Sequence, residues 1–329
     1  MQSFEWIDAT SIEHAASLLS EEGVVAKAGG IDLLDLMKEG IVTPKRVINL
    51  NLIDELRGIS VLRQAQDERP SSGGLRIGAL TTLAEIAVNP IINKHFSALA
   101  QSAAHAATPQ VRNAATIGGN LLQRPRCWYF RNRQLQKSAD TPQLQEREHQ
   151  YHAIFDNVAT AMVHASTPAT ALIAYGATVH LKGPGGERSI LVKDFLLSPN
   201  MMRDRDASIA RDEILTHISI PATSPSTRAA YHKQTERDSY DWPLFDVAIV
   251  LTTKGRIVES SSIVLGSVAP TPMHALASEA IIKGRAIDEA VATEAARAAI
   301  RGATPFSSNA YKVPMLEAVL RRTLLAVGA

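Results

Sequence analysis

The amino-acid sequence predicts an α+β chain with two or three hydrophobic cores, and three observations lead there. At 329 residues the chain is longer than the roughly 250–300 at which a single core stops growing. Strand-like and helix-like segments are grouped rather than strictly alternating, and no repeat at a solenoid period is visible. A linker rich in Pro, Ser and Thr, Pro221-Ala222-Thr223-Ser224-Pro225-Ser226-Thr227, separates two such groups and is the best boundary in the chain.

Taken in order, Thr10-Ser11-Ile12-Glu13 has the form of a capping box. Ile12, Ala15, Ala16 and Leu19 follow at helical spacing, in a helix ended by Gly23. Val24-Val25-Ala26 reads as a short buried strand running into Ala28-Gly29-Gly30-Ile31-Asp32-Leu33, a glycine turn and helix that Gly40 closes in a left-handed conformation. A strand over 47–50 completes a small α/β unit. The polar stretch 64–74 predicts an exposed loop before a strand at 75–78, and Thr82-Leu83-Ala84-Glu85 is a second capping-box candidate. An Ala-rich helix over 96–107 stops near Pro109, ahead of a second glycine turn, Thr116-Ile117-Gly118-Gly119-Asn120.

From 124 to 156 the chain turns polar, charged and aromatic, which predicts little regular structure. A helix over 169–177 follows, then a hairpin around Gly183-Pro184-Gly185-Gly186 and a strand over 214–220 stopped by Pro221. Beyond the linker, 229–233, 246–252 and 262–265 read as three strands, and 287–300 and 313–326 as helices.

Composition removes several classes of function. Lys plus Arg number 34 against 33 Asp plus Glu, so there is no large field to attract nucleic acid or an anionic membrane. The one cysteine, Cys127, cannot form an internal disulfide or supply a Cys-rich zinc site. Nor can it alone hold an iron–sulfur cluster, which needs about four thiolates. The N-terminus lacks the basic start and apolar run of a signal peptide, and no apolar stretch approaches the roughly 18 residues of a membrane span. A soluble, cytoplasmic protein is the expectation.

The two glycine turns are the leading site candidates. A glycine pair lets the backbone approach a ligand closely and aim successive N–H groups at phosphate oxygens, and a helix start adds favourable partial charge. Two such turns could bracket a pyrophosphate, although Gly73-Gly74 and Gly185-Gly186 show that the pair alone also makes ordinary turns. The dinucleotide Gly-x-Gly-x-x-Gly, the P-loop and the nucleophile elbow are all absent. His149 and His152, with Cys127 upstream, lack a carboxylate pattern and read as solvated or structural. Two aromatic clusters, Arg124-Pro125-Arg126-Cys127-Trp128-Tyr129-Phe130-Arg131 and Glu236-Arg237-Asp238-Ser239-Tyr240-Asp241-Trp242, are open to three readings: loop anchor, flank of a planar cofactor, or subunit contact.

These motifs resemble those of the FAD-binding medium subunits of the molybdenum hydroxylases, the xanthine dehydrogenase and carbon monoxide dehydrogenase group, over essentially the whole chain. Residues 28–33 look like that family's Ala-Gly-Gly-Thr-Asp-Leu loop, and Arg112-Asn113-Ala114-Ala115-Thr116-Ile117-Gly118-Gly119-Asn120 matches its second FAD loop. Leu265-Gly266-Ser267-Val268-Ala269-Pro270 and Asn309-Ala310-Tyr311-Lys312-Val313-Pro314 look like its C-terminal signatures.

The resemblance implies a two-subdomain FAD-binding module of the vanillyl-alcohol oxidase (PCMH) type, with subdomains over 1–53 and 54–221 and a loop insertion at about 124–156. A small C-terminal α+β domain with a three-stranded sheet and helices would occupy 228–329. Backbone at Ala28, Gly29, Gly30, Ile31, Asp32, Leu33, Thr116, Ile117, Gly118, Gly119 and Asn120 would hold the FAD pyrophosphate. Leu215 and Lys233 would lie near the flavin ring, where a cation stabilises a reduced, anionic flavin. Substrate chemistry would belong to a large molybdopterin subunit and electron delivery to a small subunit with two [2Fe–2S] clusters. A partner bearing an export signal would move the complex to the periplasm.

Two departures follow. Ile31 stands where the family usually has Thr, removing one hydroxyl. The segments 126–131 and 151–155 resemble the 4-hydroxybenzoyl-CoA reductase and bacterial aldehyde oxidoreductase subgroup, which inserts a four-cysteine [4Fe–4S] loop. Only Cys127 remains of the four, so the insertion is expected to persist without a cluster. A stand-alone FAD oxidase and a scaffold subunit that has lost FAD are the alternatives.

Overall fold

A computed structural model describes residues 1–62, 74–132, 148–157, 161–198 and 206–329. The chain opens with a parallel three-stranded sheet, order β1-β3-β2, of β1 (Glu5–Asp8), β2 (Val24–Lys27) and β3 (Arg46–Asn49). The helices α1 (Ile12–Leu19) and α2 (Ile31–Lys38) make the crossovers. Strand β1 had no sequence signal, because three of its four residues are exposed. The first cap differs from the expected box: Ser11 rather than Thr10 is the N-cap, its hydroxyl accepting from the His14 N–H at 3.1 Å. Glu13 then falls one position short of closing the box.

The second sheet is antiparallel, in the order β4-β5-β8-β6-β7: β4 (Ile59–Leu62), β5 (Gly74–Gly78), β6 (Thr178–Gly183), β7 (Gly186–Leu191) and β8 (Ile214–Ile220). Between β5 and β8 the chain forms α3 (Leu83–Val88), α4 (Pro90–His95), α5 (Ser97–Ala104), α6 (Pro109–Ala114), α7 (Ile117–Leu121), α8 (Thr167–Ala174) and α9 (Val192–Phe195). The Thr82–Glu85 capping box forms with both of its hydrogen bonds. Pro109 opens α6 rather than only stopping the helix before it, because the first helical position needs no N–H. The predicted 64–74 loop lies outside the described residues apart from Gly74, which begins β5.

After the linker come β9 (Thr227–Gln234), β10 (Phe245–Lys254), β11 (Ile257–Gly266) and the two-residue β12 (Met273–His274), antiparallel in the order β12-β11-β10-β9. This sheet has four strands where three were expected; β12 is too short to leave a periodic signal. Three helices, α10 (Leu276–Ile282), α11 (Glu289–Ala299) and α12 (Lys312–Gly328), cover one face, and α10 was not expected. Val247, Ile249 and Leu251 pack with those helices, while Ala248 on the opposite face joins the core of α5, α8 and the five-stranded sheet. Covered on both faces, β10 therefore reads as a continuous apolar run rather than an alternating one.

A buried polar knot ties this sheet to α8. Asp246 is fully buried and accepts from the Ser267 hydroxyl at 3.1 Å. A Cβ at Gly266 would sit 2.2 Å from the Thr170 hydroxyl and 2.4 Å from the Asp246 carboxylate, which explains the glycine of the Leu265-Gly266-Ser267 signature.

Candidate functional site

The three units meet at a cleft of about 580 Å³. Its walls take in every residue of the two glycine segments named above except Ile117, and they include Leu215 and Lys233 as well. Ile117 is fully buried, its side chain in the core and its N–H donating to the Thr81 carbonyl at 2.9 Å, so it supports the site from behind.

The first segment runs from the end of β2 into α2. Gly30 is the N-cap at φ +80°, a left-handed conformation that leaves the helix start without a capping side chain. The first helical bond is Leu34 N–H to Gly30 O at 2.9 Å, and the N–H groups of Gly29, Gly30, Ile31, Asp32 and Leu33 find no acceptor among the described residues. A row of open amides at a helix N-terminus suits an anion.

The second segment differs from the expected open turn. It is the first turn of α7, capped by Thr116, whose hydroxyl accepts from the Gly119 N–H at 3.2 Å; the Gly118 N–H goes to Ala79 O at 2.9 Å. Its amides from Ile117 to Asn120 are taken, so it supplies surface and close approach instead. A Cβ on Gly118 would lie 2.9 Å from the Ala79 Cβ, and one on Gly29 only 2.1 Å from the Ala114 carbonyl oxygen. The first segment thus lies backbone to backbone against Ala114 and Ala115, just ahead of the second.

Two side chains that carried no role in the sequence hold this geometry. The Asn51 amide donates to Ala28 O at 2.9 Å and to the Asn49 Oδ1 at 2.7 Å, while the Asn49 amide reaches the Asp8 carboxylate at 2.7 Å. The signal available was the polar pair Asn49 and Asn51 flanking a strand end. Arg112 donates to the Ala106 and Ala107 carbonyls at 3.1 and 2.7 Å, holding Ala107 at φ +46° on the cleft wall.

A model of the FAD binding domain in molybdopterin dehydrogenase matches residues 2–223, and one of the CO dehydrogenase flavoprotein C-terminal domain matches residues 229–327. The chain belongs to the FAD-binding subunits of the molybdenum hydroxylases. The carbon monoxide dehydrogenase medium chain of Hydrogenophaga pseudoflava is 29% identical over 332 residues, spanning 99% of this chain and 97% of that one. The aldehyde oxidoreductase FAD-binding subunit of Escherichia coli is 31% identical over 278 residues, 82% of this chain and 83% of that one. Among solved structures, H. pseudoflava carbon monoxide dehydrogenase lacking the Mo-pyranopterin moiety aligns with a TM-score of 0.76 at 28% identity, covering 99% of this chain and 97% of that one. The relatives are named as dehydrogenase and oxidoreductase subunits.

The site of this flavoprotein subunit fits FAD. Its volume falls in the range of roughly 300–1,000 Å³ typical of cofactor sites, and the open amides at 29–33 match the oxygens of a diphosphate. Lys233 lines the cleft with its ammonium donating to the His105 carbonyl at 2.9 Å, and burial lowers its pKa below the ordinary lysine value. Leu215 is a buried apolar wall.

Asp32 is the candidate whose side chain the structure assigns elsewhere. Its carboxylate accepts the Arg124 N–H at 2.9 Å and pairs with Arg126 at 2.9 Å and Arg131 at 2.5 Å, leaving only its backbone N–H toward the cleft.

His149 and His152, expected to be solvated or structural, are both buried. His149 stacks on Phe306 with centroids 4.6 Å apart, and the His152 Nε2 lies 3.3 Å from the Cys127 sulfur. Burial pushes the His152 pKa down to about 4, so the ring is neutral at pH 7. The 148–157 segment is gripped by the C-terminal unit: the Lys312 ammonium donates to the Tyr151 and His152 carbonyls at 3.0 and 2.9 Å, and the Asn309 amide to His152 O and Ala153 O. That contact gives the Asn309–Lys312 signature its physical reason. Among the described residues no group of three or more His, Cys, Asp or Glu is placed to hold a metal, and no helix is long and apolar enough to cross a membrane.

Proposed function

We propose that this chain is the electron-transferring flavoprotein subunit of a cytoplasmic molybdopterin-dependent dehydrogenase complex. Electrons released in a large molybdopterin subunit would pass through the [2Fe–2S] clusters of a small subunit to the flavin and on to an external acceptor. The observation that carries the reading is the row of unsatisfied amides at 29–33, pressed against the 114–120 backbone and opening on the cleft. When bound, FAD supplies the redox chemistry, while the protein supplies position, electrostatics and exclusion of water.

Each side of the cleft then has a task. The amides of 29–33 bind the diphosphate oxygens, and Ala28, Thr116, Gly118, Gly119 and Asn120 shape the surface beside them. Leu215 keeps water from the ring region, and the Lys233 ammonium favours negative charge there. The FAD module divides at 1–53 and 54–221, and 228–329 forms the C-terminal domain. Cys127, beside a neutral histidine and without thiolate companions, belongs to an insertion that has no cluster.

Purification of the chain from its own host tests the assembly. Co-purifying subunits that carry iron and molybdenum are the expected result; a chain that runs alone and oxidises a substrate with its own FAD would overturn it. About four irons on the isolated subunit would refute the cluster-free insertion.

A further inference from the structure

We infer that residues 124–131 form a strap across the cofactor cleft, and that Arg124, Arg126 and Arg131 are positioning residues that retain FAD by locking the first glycine segment in place. This rests on the FAD reading above.

The three guanidinium groups reach all three structural units. Arg131 donates to Asp32 at 2.5 Å and to Asp35 at 2.7 Å, two carboxylates one turn apart on α2. Arg126 pairs with the same two at 2.9 and 3.2 Å. Arg124 pairs with Asp206, in the segment leading to β8. Toward the C-terminal unit, the Arg126 guanidinium lies 4.9 Å from the ring centroid of Trp242 on the cleft wall. Arg131 also closes the strap on itself through the Pro125 and Arg124 carbonyls at 2.9 and 3.1 Å.

Burial decides that these contacts matter. An exposed ion pair contributes little, but the Arg131 and Arg126 side chains are only 11% and 18% exposed, and each arginine fork holds both carboxylates. Asp32 sits inside the row of open amides, so whatever fixes its carboxylate fixes the backbone that meets the diphosphate.

Charge balance separates this role from direct phosphate binding. The three strap arginines face three carboxylates, Asp32, Asp35 and Asp206, so none of the three is surplus for the cofactor. If the arginines bound the diphosphate directly, removing a competing carboxylate would tighten FAD. If they clasp α2, it must loosen FAD.

The test uses the full chain purified with its flavin, followed by the rise in flavin fluorescence on dilution. The variants are Asp35→Asn, Arg131→Gln and the pair together. Expected is a release rate about tenfold faster in each single variant, equivalent to about 1.4 kcal/mol. The double variant should release less than about a hundredfold faster, short of the product of the two single effects, because both break the Arg131–Asp35 pair. Release at the wild-type rate, or slower release in Asp35→Asn, overturns the strap. Should Arg131→Gln fail to fold, Asp35→Asn, whose side chain is half-exposed, carries the test alone. A wild-type chain that purifies folded without flavin defeats the FAD reading itself, a distinct outcome.

Discussion

Replacing Gly29 by alanine should weaken cofactor binding while leaving most of the fold intact. The added Cβ would lie 2.1 Å from the Ala114 oxygen, 3.0 Å from its carbonyl carbon and 3.3 Å from the Ala115 Cα. A carbon–oxygen contact relaxes near about 3.3 Å, so Gly29 and the Ala114 carbonyl must part by about 1 Å. Every atom in the way is backbone, so no flexible side chain can yield. Overpacking of this kind costs about 1–3 kcal/mol. Spent on the cleft, that is roughly a five- to 150-fold loss of FAD affinity, since about 1.4 kcal/mol is a factor of ten. The assay is the flavin-to-protein ratio after desalting, followed by FAD titration, with a thermal melt to register any loss of fold. A Gly29→Ala protein with its full flavin complement and an unchanged melt would refute the reasoning.

Two further predictions concern stability. Lys312→Met removes the donor to the Tyr151 carbonyl and one of the two donors to the His152 carbonyl, which keeps Asn309, so it should lower stability by about 1–3 kcal/mol, the cost of one buried group left unpaired. Limited proteolysis within 148–157 should quicken, and an unchanged cleavage rate would count against the grip. Burial raises the Asp246 carboxyl to about 6, above its value in the unfolded chain, so between about pH 4 and 6 the native state holds more protons than the unfolded one. Stability from this group is present below the unfolded pKa and falls as pH rises through that window, by on the order of 3 kcal/mol. Denaturant melts of Asp246→Asn should lose that part of the slope, and an identical pH profile would contradict it.

What the sequence made legible was local. Helix α1 was readable from Ile12, Ala15, Ala16 and Leu19, which do face the core, and β10 from its apolar run. Gly29 and Gly30 stood out because the pair lies between a strand end and a helix start and matches a family loop, although a glycine pair alone also makes ordinary turns. Contacts between distant segments left no such mark. Nothing near Asp32 announces that its carboxylate is held by Arg126 and Arg131, ninety-odd positions away. Lys312 looks like a helix-surface lysine, yet it is fully buried because the 148–157 backbone brings it two carbonyls. Ile117 illustrates a finer limit: a motif names a segment, while the pitch of α7 decides which of its residues face the cleft and which the core.

The most direct test of the central claim is the visible spectrum and cofactor content of the purified full chain. The account predicts flavin absorbance and one FAD per chain, released intact on denaturation and identified by mass. A correctly folded, colourless protein that takes up no FAD on titration would contradict it.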